Sequence, residues 1–334
     1  MNSSNTIPLV RAAVVEPFIA AAQQIGVPVE KMLRSVGLPA QMGDDAELLL
    51  PELHCWHFAQ SVARTEAIPD FGLLAGNAVS HQDISTLAPL LAGCTNLYDL
   101  LKRFCAIAPL QSSIDSYVLE KDGDIVWFSQ KGVRLMDEAV QVETFEIFGM
   151  IQLVQLAAGT NWRPAEIHFS FKHRTEVETA DEFNPGRILF SQRYPSIAIP
   201  GNLLPLSLPG LRVEHDTDNP ANLAPMPGSF SEQLRDAIIP YFGTEKPNKK
   251  LASEIAGVSP RTLQRRLAQQ GTSYSRVLDQ ARLLKAAAML KETDLKLLDI
   301  SLILGYANAP GFTRAFRRWT GVSPRAYRQL NSAA

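Results

Sequence analysis

Twice in the last third of this chain a short apolar helical pattern runs into a glycine and then into a second helical pattern with arginines on one face. In the first copy Leu251 and Ile255 stand one helical turn apart, with the small Ala252 and Ala256 beside them. Gly257 permits a backbone turn that other residues resist. Ser259 suits a helix cap and Pro260 the first helical position. Leu263 and Leu267 then bury one face and leave Arg261, Gln264, Arg265 and Arg266 outside. The second copy has an apolar stretch from Leu297 that ends at Gly305, a cap at Asn308 or Ala309, and a buried side made by Phe312, Phe316 and Trp319. Thr313, Arg314, Arg317 and Arg318 remain outside. Residues from Tyr274 to Leu290 read as one long helix between the copies, a rigid spacer of about 25 Å.

A helix, a glycine turn and a second helix with Arg and Gln outward is the helix-turn-helix pattern, and its chemistry suits a major groove. Arg can fork onto guanine O6 and N7, and Gln can pair with adenine N6 and N7. A spacer of that length can present two such helices to grooves one DNA turn, about 34 Å, apart. Charge agrees. Residues 231–334 carry 17 Lys and Arg against 8 Asp and Glu, which leaves 15 against 26 for residues 1–230. A basic third on an acidic body fits a nucleic-acid-binding module joined to a separate domain, although anionic lipid or an acidic partner would also suit it.

The 334 residues suffice for two domains, and 46% hydrophobic with 20% charged residues is ordinary for a soluble globular chain. No apolar run approaches the ~20 residues of a membrane span, and the N-terminus lacks a signal-peptide pattern, so the expected location is cytoplasmic, on the nucleoid. Residues 8–110 read as short helices, punctuated by Pro28, Pro39, Pro51, Pro69 and Pro89. A hairpin follows, 116–120 and 125–129 about a Lys-Asp-Gly-Asp turn. Then come a helix over about 137–158, a strand over 164–171 with Ile167, Phe169 and Phe171 on one face, and strands at 188–190 and 196–199. The expected class is an α+β N-terminal domain, helices plus a mostly antiparallel sheet, followed by an all-α domain with two helix-turn-helix units. Six prolines and three glycines crowd residues 200–228. The division is therefore 1–200 as effector-binding and dimerisation domain, 201–228 as linker with a short ordered piece near 203–213, and 229–334 as DNA-binding domain, opened by a Ser229/Glu232 capping box.

The stretch from Gly305 to Arg328 closely resembles the C-terminal signature of the AraC/XylS family of transcriptional regulators, and 259–267 looks like that family's first recognition helix. Residues about 10–210 resemble the "arabinose-binding" N-terminal domain of a subgroup, through Asp70–Gly76, the Glu143-centred helix, Ile188–Phe190 and Leu203–Leu206. The resemblance implies DNA contacts from Arg261, Gln264, Arg265, Thr313, Arg314 and Arg317. It also implies a ligand-responsive regulator, activator rather than repressor, whose partners are double-stranded promoter DNA, RNA polymerase and a small-molecule effector; a homodimer is compatible with it. Ala309, Pro310 and Gly311 depart from the family, which usually has a polar residue there. Weaker base readout by the second unit is the expectation. The alternatives are a constitutive DNA binder whose N-terminal domain only dimerises, and an enzyme anchored by its basic domain.

Other constellations carry less. His54, Cys55 and His57 invite a metal, but no matching ligand pair stands elsewhere. His168 and His173 fall on opposite strand faces. Cys55, Cys94 and Cys105 are too few and too odd for a disulfide framework. Glu143 and Glu146, three residues apart on an apolar helix, are expected to face solvent or an arginine rather than to bind an effector or act as acid and base. No Walker loop, dinucleotide fingerprint or nucleophile elbow is present, so neither a cofactor nor a catalytic set is implied, and effector-binding residues stay unassigned.

Overall fold

The computed structural model describes residues 6–41, 45–78, 93–132, 139–184, 186–208 and 224–331. The chain divides into two compact units, one of residues 10–36 and 52–226 and the other of residues 1–9, 37–51 and 227–334. Short strands β1 (Leu9–Arg11) and β2 (Leu49–Pro51) lie where the chain passes between units.

In the first unit, helices α1 (Ala12–Gln24), α2 (Val29–Ser35), α3 (Glu52–Thr65), α4 (Phe71–Ala78) and α5 (Leu97–Gln111) precede the sheet. Strands β3 (Tyr117–Asp122) and β4 (Ile125–Gln130) form the expected hairpin, pairing from Tyr117 opposite Gln130 to Asp122 opposite Ile125. Helix α6 (Val140–Ala158) follows, then β5 (Glu166–His168), the short α7 (Thr175–Glu178), β6 (Arg187–Leu189) and β7 (Ser196–Pro200). The sheet order is β3-β4-β7-β5-β6, antiparallel except for the β5/β6 pair. The α+β class read from the sequence is the one observed. Ile167, Phe169 and Phe171 are fully buried, as the alternation predicts.

Helix α6 is central because it is apolar nearly all round and buries Ile147, Met150, Ile151 and Val154. α4 crosses it at Gly72, where a Cβ would lie 2.0 Å from the Gln141 carbonyl oxygen. The Gln141 side chain closes that crossing by accepting from Gly72 N at 2.7 Å and donating to Pro69 O at 2.9 Å. Residues 201–208, expected to begin the linker, instead belong to this unit. Leu203, Leu204 and Leu208 pack on its core, because apolar side chains gain more by burial than the prolines cost in regular structure. The rest of the ordered piece expected near 203–213 lies largely outside the described residues.

The second unit is all helical: α8 (Phe230–Ile238), α9 (Lys249–Ile255), α10 (Pro260–Gln269), α11 (Tyr274–Glu292), α12 (Leu297–Ile303), α13 (Ala309–Thr320) and α14 (Pro324–Asn331). The Ser229/Glu232 capping box that opens α8 is present in full. Two stretches that chain order assigns to the N-terminal domain join this unit. Ile7 and Leu9 lie in its core, and Leu49 packs against it. Gln233 accepts from Ile7 N at 2.7 Å, and the wholly buried Tyr241 donates its hydroxyl to Gly37 O at 2.7 Å.

Candidate nucleic-acid interface and an acidic cavity

The two helix-turn-helix units are built to one plan. α9 ends at Gly257, with φ +60°, where Gly257 N donates to Glu254 O and Val258 N to Ser253 O, both at 3.0 Å. α12 ends at Gly305, with φ +80°, where Gly305 N donates to Leu302 O at 2.9 Å and Tyr306 N to Ser301 O at 2.8 Å. Both glycines satisfy helix-end carbonyls in a left-handed conformation that a side chain would strain. The next helix is then capped, α10 by Ser259 accepting from Thr262 N at 3.2 Å, α13 by Asn308 accepting from Gly311 N at 2.8 Å. The second turn is one residue longer, since its cap follows the glycine by three positions rather than two.

Counting from the caps aligns the two helices. Leu263 and Leu267 correspond to Phe312 and Phe316, and all four are buried. Gln264 and Arg265 correspond to Thr313 and Arg314. Arg261 has no counterpart, because Pro310 stands in its place, while Arg317 stands where the first helix has Ala268. Arg261, Gln264, Arg265, Arg314 and Arg317 are exposed, and Thr313 is half-buried. None of these five exposed side chains has a hydrogen-bond or ion-pair partner among the described residues.

Four other arginines of the unit behave differently. Arg282 donates to Leu304 O at 3.1 Å, pairs with Asp279 at 3.6 Å and lies over the Tyr306 ring. Arg328 donates to Leu295 O at 2.7 Å and Leu290 O at 3.4 Å. Arg266 covers Phe230, and Arg318 pairs with Asp279 at 3.2 Å. These four staple helices together, whereas Arg276 and Arg325, on other helices of the unit, are exposed without a side-chain partner among the described residues, as the heads on the two matching helix faces are.

The first unit contains a mostly apolar cavity of about 250 Å³, walled by α1, α3, α4, α5, α6 and the start of β3. Its polar lining includes Glu52, Gln111, Asp115, Tyr117, Glu146 and Gln152, and no Lys, Arg or His is among the described residues that line it. Ser112 Oγ donates to Glu52 at 2.9 and 3.0 Å, and Gln130 Nε2 donates to Asp115 at 3.2 Å. Burial raises all three carboxyls, and their mutual repulsion adds to the shift at Glu52 and Glu146. Asp115 is pushed up to about 6 by burial against the lowering effect of Gln130. The Tyr117 hydroxyl is raised by burial and by the same carboxyls.

Glu143 and Glu146 correct the expectation of solvent-facing or arginine-paired groups. Glu143 is buried and accepts from Ser170 N at 3.0 Å and from the Ser170 hydroxyl. Glu146 lines the cavity. The apolar surroundings of α6 on every side are the signal that turns both inward. Glu52, Asp115 and Gln152 went unnoticed in the sequence because they sit far apart in the chain, and only folding brings them to one wall. Cys55, beside Glu52, and Cys105 have thiols raised by burial, Cys105 to about 11, so they are held protonated. His54 is half-buried and His57 exposed, and no described group of three or more His, Cys, Asp or Glu is placed to hold a metal. His168 and His173 pair with different glutamates, Glu166 at 2.7 Å and Glu178 at 2.8 Å.

The helical fold and its paired arginine faces define a DNA-binding protein of the helix-turn-helix class. The family model described as the arabinose-binding domain of AraC transcription regulators, N-terminal, matches residues 26–208, and a helix-turn-helix domain model matches 252–330. The chain belongs to the AraC family of transcription regulators. It is 41% identical over 83 residues to the ornithine utilization regulator of Pseudomonas aeruginosa, covering 25% of this chain and 24% of that protein. It is 32% identical over 104 residues to the regulator VirS of Mycobacterium tuberculosis, covering 31% of each. The matched stretch thus spans about a quarter to a third of these relatives' own lengths. Among solved structures it is similar to the transcriptional regulator CdpR of Pseudomonas aeruginosa, at 17% identity and TM-score 0.38 over 95% of this chain and 98% of that one. The DNA-binding domain of AdpA in complex with a target DNA matches at 24% identity and TM-score 0.27, over 31% of this chain and 93% of that one. No described helix is long and apolar enough to cross a membrane.

Proposed function

We propose that the chain is a ligand-responsive, sequence-specific regulator of promoter DNA. The observation that carries this reading is the pair of equivalent capped helices whose Arg261, Gln264, Arg265, Arg314 and Arg317 heads are exposed and unengaged. Arg261, Gln264 and Arg265 read base edges in one major groove, and Thr313, Arg314 and Arg317 engage the next. Pro310 at the place of Arg261 removes one reader, so the second helix relies more on phosphate. The chain acts in the cytoplasm on nucleoid DNA, as an activator through RNA polymerase rather than as a repressor.

The effector enters the acidic cavity of the N-terminal unit. For occupancy to matter, the ligand must favour one arrangement of the regulator over another. Residues 229–334 form the DNA-binding domain, with residues 6–9 and 37–51 as part of its packing, and the N-terminal unit is also the candidate dimerisation surface.

Selection of bound sequences from random duplexes, repeated with Arg265→Ala and Arg314→Ala, tests the DNA half. Arg265→Ala relaxes base choice at its own position, whereas Arg314→Ala mainly lowers affinity. Equal base sensitivity in both half-sites would refute the asymmetry, and no selected sequence at all would refute the regulator. Reporter transcription with and without effector separates this reading from a constitutive binder.

A further inference from the structure

The cavity's chemistry narrows what it takes. Three carboxyls, Glu52, Asp115 and Glu146, come to one partly open, mostly apolar space with no basic side chain among the described residues that line it. Glu52 and Asp115 have partners, Ser112 and Gln130, but Glu146 has no hydrogen-bond partner among the described residues. Gln152, one of the cavity's lining residues, is only 6% exposed, and its amide likewise has no partner among them. Gln111, also in the lining, has a buried Oε1 without a partner among the described residues, and since buried polar groups are normally satisfied, these open groups facing one cavity point to a ligand that completes them.

The helix that carries both supplies a separate observation. Val142, Phe145, Glu146, Gly149, Gln152 and Leu153 recur at helical spacing along the cavity side of α6. Gly149 lies deep inside this helix, where glycine is destabilising relative to alanine. A Cβ built there meets nothing within 4 Å. At Gly76, also in the wall, a Cβ would lie 2.6 Å from Phe148, so packing explains that glycine. Packing does not explain Gly149, whose missing side chain leaves room in the cavity.

We propose that this cavity binds a small organic cation, a primary amine on an apolar body of roughly eight to ten non-hydrogen atoms, with its ammonium held by Glu146 beside Asp115 and Glu52. The size follows from the volume, equivalent to about eight waters of liquid. An ammonium supplies several donors and the positive charge that the three acids lack. A carboxylate ligand would find acids there and, among the described lining residues, no basic group to pair with. The inference rests on the reading of this unit as the effector-binding half of a regulator.

The test is a thermal-shift titration of the full chain at pH 7.5, where a primary amine is charged. The probes are 2-phenylethylamine, 2-phenylethanol and phenylacetate. The amine raises the melting temperature saturably and binds at least tenfold more tightly than the alcohol, and phenylacetate gives no shift. Glu146→Gln weakens the amine about tenfold and leaves the alcohol unchanged. Gly149→Leu, which fills the space, abolishes the amine shift. Should that variant not fold, Gly149→Ala, adding only a methyl, raises the unliganded melting temperature and weakens the amine. The proposal is overturned if the alcohol or phenylacetate matches the amine, if none of the probes binds, or if amine binding is indifferent to both Gly149 and Glu146. Anisotropy with selected DNA is measured in parallel. Loss of the amine result with DNA recognition and its Arg265 dependence intact overturns the ligand class alone, whereas loss of DNA recognition overturns the regulator.

Discussion

In the C-terminal unit, Arg261, Arg265, Arg314 and Arg317 are carried on short capped helices into solvent and meet no partner among the described residues, whereas in the N-terminal unit Glu52, Asp115 and Glu146 line a cavity with no basic side chain among its described lining residues. Both sets are incomplete, but at different cost. An exposed guanidinium stays hydrated and loses little by waiting for a phosphate. A buried carboxylate loses its hydration, so it takes up a proton or finds a cation. The proposed DNA face is therefore held ready by local helix geometry, and the cavity by the packing of elements distant in sequence.

The contrast breaks most sharply under salt. Arg314 and Arg317 on phosphates imply that DNA affinity falls by at least about tenfold between 50 and 200 mM salt, from counterion release. Amine binding in the cavity changes little over that range, because buried pairs are weakly screened. Parallel titrations by anisotropy and by thermal shift measure both, and an equal salt slope for the two would erase the distinction.

Next comes a single head group. Arg265→Ala costs about 1–3 kcal/mol on the selected site and much less on random duplex, as expected for a base contact. An equal loss on both DNAs assigns Arg265 to phosphate instead.

The carboxyls of the two units shift in opposite directions, which pH resolves. Asp115 titrates near 6 in the folded chain against about 4 unfolded, so between those values only the folded form holds its proton. Its contribution to stability therefore falls as pH rises from about 4 to 6. Glu232 is lowered by its hydrogen bonds to Ser229, so its contribution is present above the ordinary glutamate value and is lost as pH falls. Asp115→Asn flattens the first slope and Glu232→Gln the second in melting temperatures measured from about pH 2.5 to 7. Slopes of the same sign would contradict the burial of Asp115.

The smallest expected effect is at Gly149. Gly149→Ala stabilises the empty protein by about 0.5–1 kcal/mol through helix propensity, read as a higher urea midpoint. A destabilised alanine variant would mean that the space beside Gly149 is already filled.

Much of the C-terminal unit was legible in order along the chain. Ser229 and Glu232, Gly257 and Ser259, Gly305 and Asn308 each act within a few residues of themselves, so local rules locate them. The hairpin at 117–130 and the buried face of Ile167, Phe169 and Phe171 were legible for the same reason. The inward turn of Glu143 and Glu146 was not, because spacing of three residues suits a solvent face as well as a cavity. What surrounds the helix decides between them.

The amino-acid sequence determined the two arginine-bearing helices, their turns and the arginines they expose, since capping and helical periodicity are forces of short range. Tertiary structure alone decided that residues 6–9 and 37–51 complete the C-terminal unit's packing, that the sheet runs β3-β4-β7-β5-β6, and that Glu52, Asp115, Glu146 and Gln152 share one cavity. Those outcomes depend on which apolar surfaces bury one another across the chain, and burial has no preferred sequence separation.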